Sequence, residues 1–114
     1  MAGRPTPKPK ASRLPKFVGT IAERQPALWR AYEALGKAAA TAGPLTPREQ
    51  RLVKLALAIG AGSEGSCHSH TRRALAERLS IDALEHVAFL AITSLGWSQA
   101  MRGLSWIGDV TRAK

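Results

Sequence analysis

Helix breakers and caps recur at intervals of three to four helical turns along most of this chain, and that spacing constrains its fold more than any other feature. Gly43-Pro44, the run Gly60-Ala61-Gly62, Ser80 and Gly96 divide residues 26–108 into five segments, each with apolar residues at helical spacing. The first spans about 26–41, opens on Pro26 where a missing N–H costs nothing, and repeats Leu28, Ala31, Tyr32, Leu35 and Ala39. Thr46-Pro47-Arg48-Glu49 reads as a capping box for a second helix running to about Ile59, with Leu52, Leu55, Ala56 and Ile59 on one face. A third segment contains Cys67, His68, His70 and Ala74 and ends near Leu79. Ser80 caps a fourth over about 81–95, and a fifth covers about 98–108.

Composition agrees with an all-α chain. Apolar residues make up 45% of the sequence but aromatics only 5%, so alanine and leucine carry the burial that strands would assign to β-branched and aromatic side chains. The expectation is an all-α bundle of about five to six helices in one domain of 17–114. The stretch Val87-Ala-Phe-Leu-Ala-Ile92 is apolar on every side, which in so short a chain predicts cover from other subunits and hence a homo-oligomer.

A single cysteine among 114 residues excludes an intrachain disulfide framework. Neither a membrane-length apolar run nor an apolar N-terminal leader is present in the sequence, so the expectation is a soluble, cytoplasmic protein with no membrane partner. The formal charge of +9 is concentrated. Residues 1–16 carry Arg4, Lys8, Lys10, Arg13 and Lys16 with four prolines and no acid, which predicts a disordered basic tail. The remaining twelve basic and eight acidic residues leave only a mild excess, so no specific nucleic-acid partner is expected. Ala74 to Leu95 superficially suggests a helix-turn-helix. Its would-be recognition helix, however, offers Val87, Phe89, Leu90 and Ile92 where base reading needs Arg, Lys, Asn or Gln.

Chemistry concentrates in Ser63-Glu64-Gly65-Ser66-Cys67-His68-Ser69-His70. On a helix, Glu64 and His68 share one face and Cys67 and His70 another. A cysteine in a first turn has its thiolate favoured by unpaired amides. Reactive thiol, His/Glu proton transfer and metal binding are the open roles. Cys-His-x-His projects its ligands about 100° apart, so no metal site and no cofactor is expected within this run. The plain alternatives are Cys67 as a small buried hydrophobe and His70 as a core histidine bonded to a carbonyl. His86, beside Glu85, reads as partly exposed.

Thr46 to Gly60, Gly62 to His70, Ala74-Leu75 and Ile81 to Leu95 together resemble the carboxymuconolactone decarboxylase family, which includes the AhpD-type alkylhydroperoxidases. The resemblance spans roughly 27–108 and implies an AhpD-like all-α fold assembled as a trimer or hexamer. The family's redox branch uses Cys-x-x-Cys-x-x-x-His, with a glutamate twelve residues before the first cysteine. Anchored on His70, those positions hold Ser63, Ser66 and Arg51; a shift of one makes Cys67 the second cysteine but puts Glu64 and Thr71 at the others. A dithiol cycle needs a second thiol that this chain lacks.

Three readings follow. The first is carboxymuconolactone-decarboxylase-like proton transfer on a small anionic organic acid, with His70 as acid, Glu64 and His68 in support, and Arg51 or Arg72 clamping the anion. The second is peroxiredoxin-like alkylhydroperoxidase activity through Cys67 alone, resolved by an outside thiol. The third is a non-enzymatic oligomeric scaffold or cargo protein docked through its basic tail.

Overall fold

The computed structural model describes residues 16–112. The basic tail expected over 1–16 lies outside them, apart from Lys16. Six α-helices and no strand occur among the described residues: α1 (Lys16–Arg24), α2 (Pro26–Ala40), α3 (Pro47–Gly60), α4 (Glu64–Ala76), α5 (Ile81–Leu95) and α6 (Trp97–Thr111). α2 to α6 stand where the breaker spacing puts them. α1 was not anticipated by that spacing; a Phe17-Val18-Ile21-Ala22 stripe generates it, and Gln25, held out of the helical region ahead of Pro26 at φ −132° and ψ 67°, ends it.

The described residues up to Pro44 and those from Leu45 onward form two compact units. In the first, α1 packs on α2, where the rings of Trp29 and Tyr32 lie 5.4 Å apart. No residue of α2 is buried, and Leu28, Tyr32 and Leu35 are each more than 60% exposed.

The second unit is a four-helix arrangement in which α6 packs against α5, α4 and α3, and α3 against α4 and α5. Its core is Leu55, Ala58 and Ile59 of α3, Cys67 and Ala74 of α4, Leu84 and Ala88 of α5, and Ile107 of α6. Of the predicted face of α3, Leu55 and Ile59 are buried and Leu52 packs against the core, but Ala58 is buried in place of Ala56, which is exposed. α5 buries a stripe at Leu84, Ala88 and Ala91 and leaves Phe89 and Leu90 exposed. Gly103 is what lets α6 lie against α3: a β-carbon there would come within 2.7 Å of Ile59 Cγ2.

Local chemistry fixes the helix ends that frame the site. At the start of α3, Thr46 Oγ1 accepts from the Glu49 amide at 3.1 Å while the Thr46 amide donates to Glu49 Oε1 at 2.8 Å, the reciprocal pair the sequence predicts. α3 and α4 then end in the same left-handed cap. After α3, Gly62 at φ 69° donates to Ile59 O and Ser63 donates to Ala58 O. After α4, Arg78, also at φ 69°, donates to Leu75 O and Leu79 donates to Ala74 O. The second cap ends α4 at Ala76 rather than near Leu79. Arginine stands where glycine is usual, so no residue type marks the turn.

Candidate functional site

α4 carries the chemistry-bearing cluster, and its face assignments follow from one choice of buried stripe. Cys67, Thr71 and Ala74 point into the core at i, i+4 and i+7. His68 and His70 therefore flank that stripe, about 200° apart around the helix axis. Ser63, at a position the resemblance assigns to a redox cysteine, is the N-cap: its hydroxyl accepts from the Ser66 amide at 3.3 Å.

On one flank, α3 supplies Arg51. Its Nε and Nη2 donate to Glu77 Oε1 and Oε2, both at 2.9 Å, a forked pairing that draws the Glu77 carboxyl below its usual range. The remaining Nη1 reaches His70 Nδ1 at 2.7 Å. A guanidinium has no acceptor, so Nδ1 accepts and the imidazole proton sits on Nε2. Burial, then the charges of Arg51, Arg73 and Lys54, push the His70 pKa down to about 4, against a smaller upward pull from Glu77. At neutral pH His70 is thus an uncharged imidazole with one defined donor.

The geometry bears on three expectations. His70 is a neutral imidazole near pH 7, because burial first and its cationic neighbours second disfavour the charged ring. Arg51 is not a free anion clamp, because Glu77 holds two of its donors. Arg72 is not among the charges that act on His70; Arg73, three residues on and hence on the same face, takes that place.

On the other flank, His68 Nε2 lies 3.0 Å from Asp109 Oδ2 on α6 and 3.9 Å from Glu64 Oε2. His68 is held chiefly by an acid 41 residues downstream rather than by Glu64 alone.

Cys67 sits between these flanks with no solvent exposure. Burial pushes its thiol up to about 11, opposed by a hydrogen bond from Thr71, with Asp109 and Glu64 adding to the rise. Desolvation thus outweighs the first-turn amides that were expected to favour the thiolate. The Thr71 hydroxyl, itself fully buried, donates to Cys67 O at 2.8 Å.

α3 and α5 also leave an open apolar groove of about 680 Å³ between them, lined by Leu57, Val87, Leu90 and Leu95 together with Arg48 and His86. Neither Arg51 nor His70 lines it. No helix among the described residues is long and apolar enough to cross a membrane.

The side chains around the candidate site that sequence reasoning missed are Glu77, Arg73, Lys54 and Asp109. Glu77 is seven residues past His70, two helical turns along the same face, and Lys54 is three past Arg51, so both had a periodic signal. Asp109 had none, because only tertiary packing brings α6 to α4.

Residues 26–109 match the carboxymuconolactone decarboxylase family. The chain belongs to that family. An uncharacterised protein of Cupriavidus necator is 29% identical over 94 residues, covering 82% of this chain and 83% of its own length. No solved structure matches the chain significantly. The family match covers α2 to α5 and all of α6 but its last two residues, and contains every residue of both flanks of α4.

Proposed function

We propose that this family member performs proton-transfer chemistry, of the decarboxylase or lactone type, on a small anionic organic acid at His70. The observation that carries the reading is the 2.7 Å contact from Arg51 Nη1 to His70 Nδ1, which leaves Nε2–H as a neutral, oriented donor. Lys54 and Arg73, whose charges act on His70, are the groups available to attract the substrate carboxylate. In a decarboxylation the carbon–carbon bond to the carboxylate breaks and carbon dioxide leaves. The electron pair moves onto a conjugated carbonyl oxygen, which accepts from Nε2–H, and one solvent proton is added at carbon. A neutral imidazole suits this step, because it stabilises the developing oxyanion without first giving up its own proton to the ground-state carboxylate.

Deuterium incorporation at carbon, followed by NMR with γ-lactone carboxylic acids in heavy water, tests the reading. His70→Ala should lower incorporation about 100-fold or more, the usual cost of a lost oxyanion donor. Equal rates in the two proteins would overturn it. Loss of one thiol should not matter: a buried Cys67 held near pKa 11 gives the single-thiol alternative no support.

The same chain is proposed to work as a homo-oligomer. The bare face of α2 and the apolar groove between α3 and α5 support this, since apolar area of that kind is usually covered in a soluble assembly. Sedimentation equilibrium on the same samples should give a mass of at least three chains; a monomer at micromolar concentration would refute it.

A further inference from the structure

The face of α4 opposite His70 holds a second group that takes no part in the step proposed at His70. Glu64 and His68 stand one helical turn apart, and Asp109 reaches them from α6, so three possible ligands converge from two packed helices. One donor atom from each lies within 4.8 Å of the other two. A transition ion holding ligands at about 2.1 Å separates neighbouring donors by roughly 3.0–3.4 Å in octahedral or tetrahedral geometry. The His68–Asp109 separation of 3.0 Å already meets that requirement, and the His68–Glu64 separation of 3.9 Å needs a shift of less than about an ångström. Glu64, with 60% of its side chain exposed, is free to make that shift.

We infer that Glu64, His68 and Asp109 form a binding site for a divalent first-row transition ion, with zinc as the best fit. One imidazole nitrogen with two carboxylates selects zinc, nickel or cobalt over magnesium or calcium, which prefer oxygen alone. Two carboxylates balance the charge of a dication. Three protein ligands on the exposed side of α4 and α6 leave at least one position for water or for an anionic ligand, the arrangement of an open rather than a closed structural site. Cys67 is not a ligand: it faces inward and is fully buried. The site is independent of His70 chemistry, and either can fail without the other.

Zinc titrated into the untagged full chain by calorimetry, with imidazole 1H–15N NMR alongside, decides the matter. The expected result is saturable binding of one ion per chain, with the His68 ring nitrogens shifted and those of His70 and His86 unmoved. His68→Gln and Asp109→Asn should each weaken binding about tenfold or more, and His86→Ala should bind like the parent. Absence of saturable binding up to millimolar zinc would overturn the site. So would affinity unchanged in His68→Gln and Asp109→Asn, or shifts spread over all three histidines, which would mean adventitious surface chelation only.

Discussion

His68 and His70 are separated by one residue on α4, yet the fold gives them opposite company. His70 takes a hydrogen bond from a guanidinium and sits among Arg51, Arg73 and Lys54; His68 lies against two carboxylates, Asp109 and Glu64. Neither difference is local to α4. A rotation of about 200° between the two positions sends one imidazole toward α3 and the other toward α6, and the neighbouring helix then sets the electrostatics. In this family member, a histidine's role is therefore assigned by the helix it faces rather than by the motif it stands in.

Acid should separate the two most strongly. The folded-state pKa of His70, about 4, lies below its ordinary 6.5, so folding favours the neutral ring. That contribution is fully present above pH 6.5 and is lost as pH falls from 6.5 through about 4. At 1.36 kcal/mol per unit the loss is about 3 kcal/mol. Urea unfolding at pH 7 and pH 4 should show the parent losing this much more stability than His70→Gln, which can still accept from Arg51 but does not titrate. Parallel curves for the two proteins would erase the contrast.

Removing the cation should then narrow it. Arg51→Ala takes away the hydrogen bond and the largest of the charges acting on His70, so the pKa should rise from about 4 toward 6.5 without reaching it, because burial remains the leading cause. Imidazole 15N NMR followed through the titration should show both the rise and the Nε2–H tautomer losing its dominance. An unmoved titration would mean that burial alone sets the value.

The smallest effect belongs to the His68 side. Asp109 is 49% exposed in its side chain, and exposed pairs of this kind contribute under about 1 kcal/mol. Asp109→Asn should therefore shift the urea midpoint at pH 7 only slightly, with no ion added. A loss above about 2 kcal/mol would show that the pair is a structural tie and not a surface one.

The helices from α2 onward were legible because each carries its own start and stop chemistry: Pro26, the Thr46/Glu49 capping box, the Ser80 cap and Gly96 are all local signals. α1 was hidden by its setting, a nine-residue stripe between a proline-rich stretch and Pro26. The end of α4 was hidden for a different reason, since Arg78 adopts a left-handed backbone that only neighbouring hydrogen bonds reveal. The site was legible in part. His70, Arg51, Glu64 and His68 were all singled out, but their pairing was not, because pairing depends on which helix packs on which face. Charge was the clearest failure: nothing in the order of residues said that Arg51 would spend two donors on Glu77.

The approach of α6 to α3 at Gly103 carries a consequence for how this sequence can vary. Even an alanine methyl would press on the fully buried Ile59 side chain, so any other residue there forces that side chain, or α6 itself, to give way. Moving α6 would carry Asp109 with it, six residues along the same helix and one of the three side chains around His68. A position with no side chain of its own thus restricts the drift of a chemical group it never touches, and a lineage that lost Gly103 would be free to lose Asp109 next.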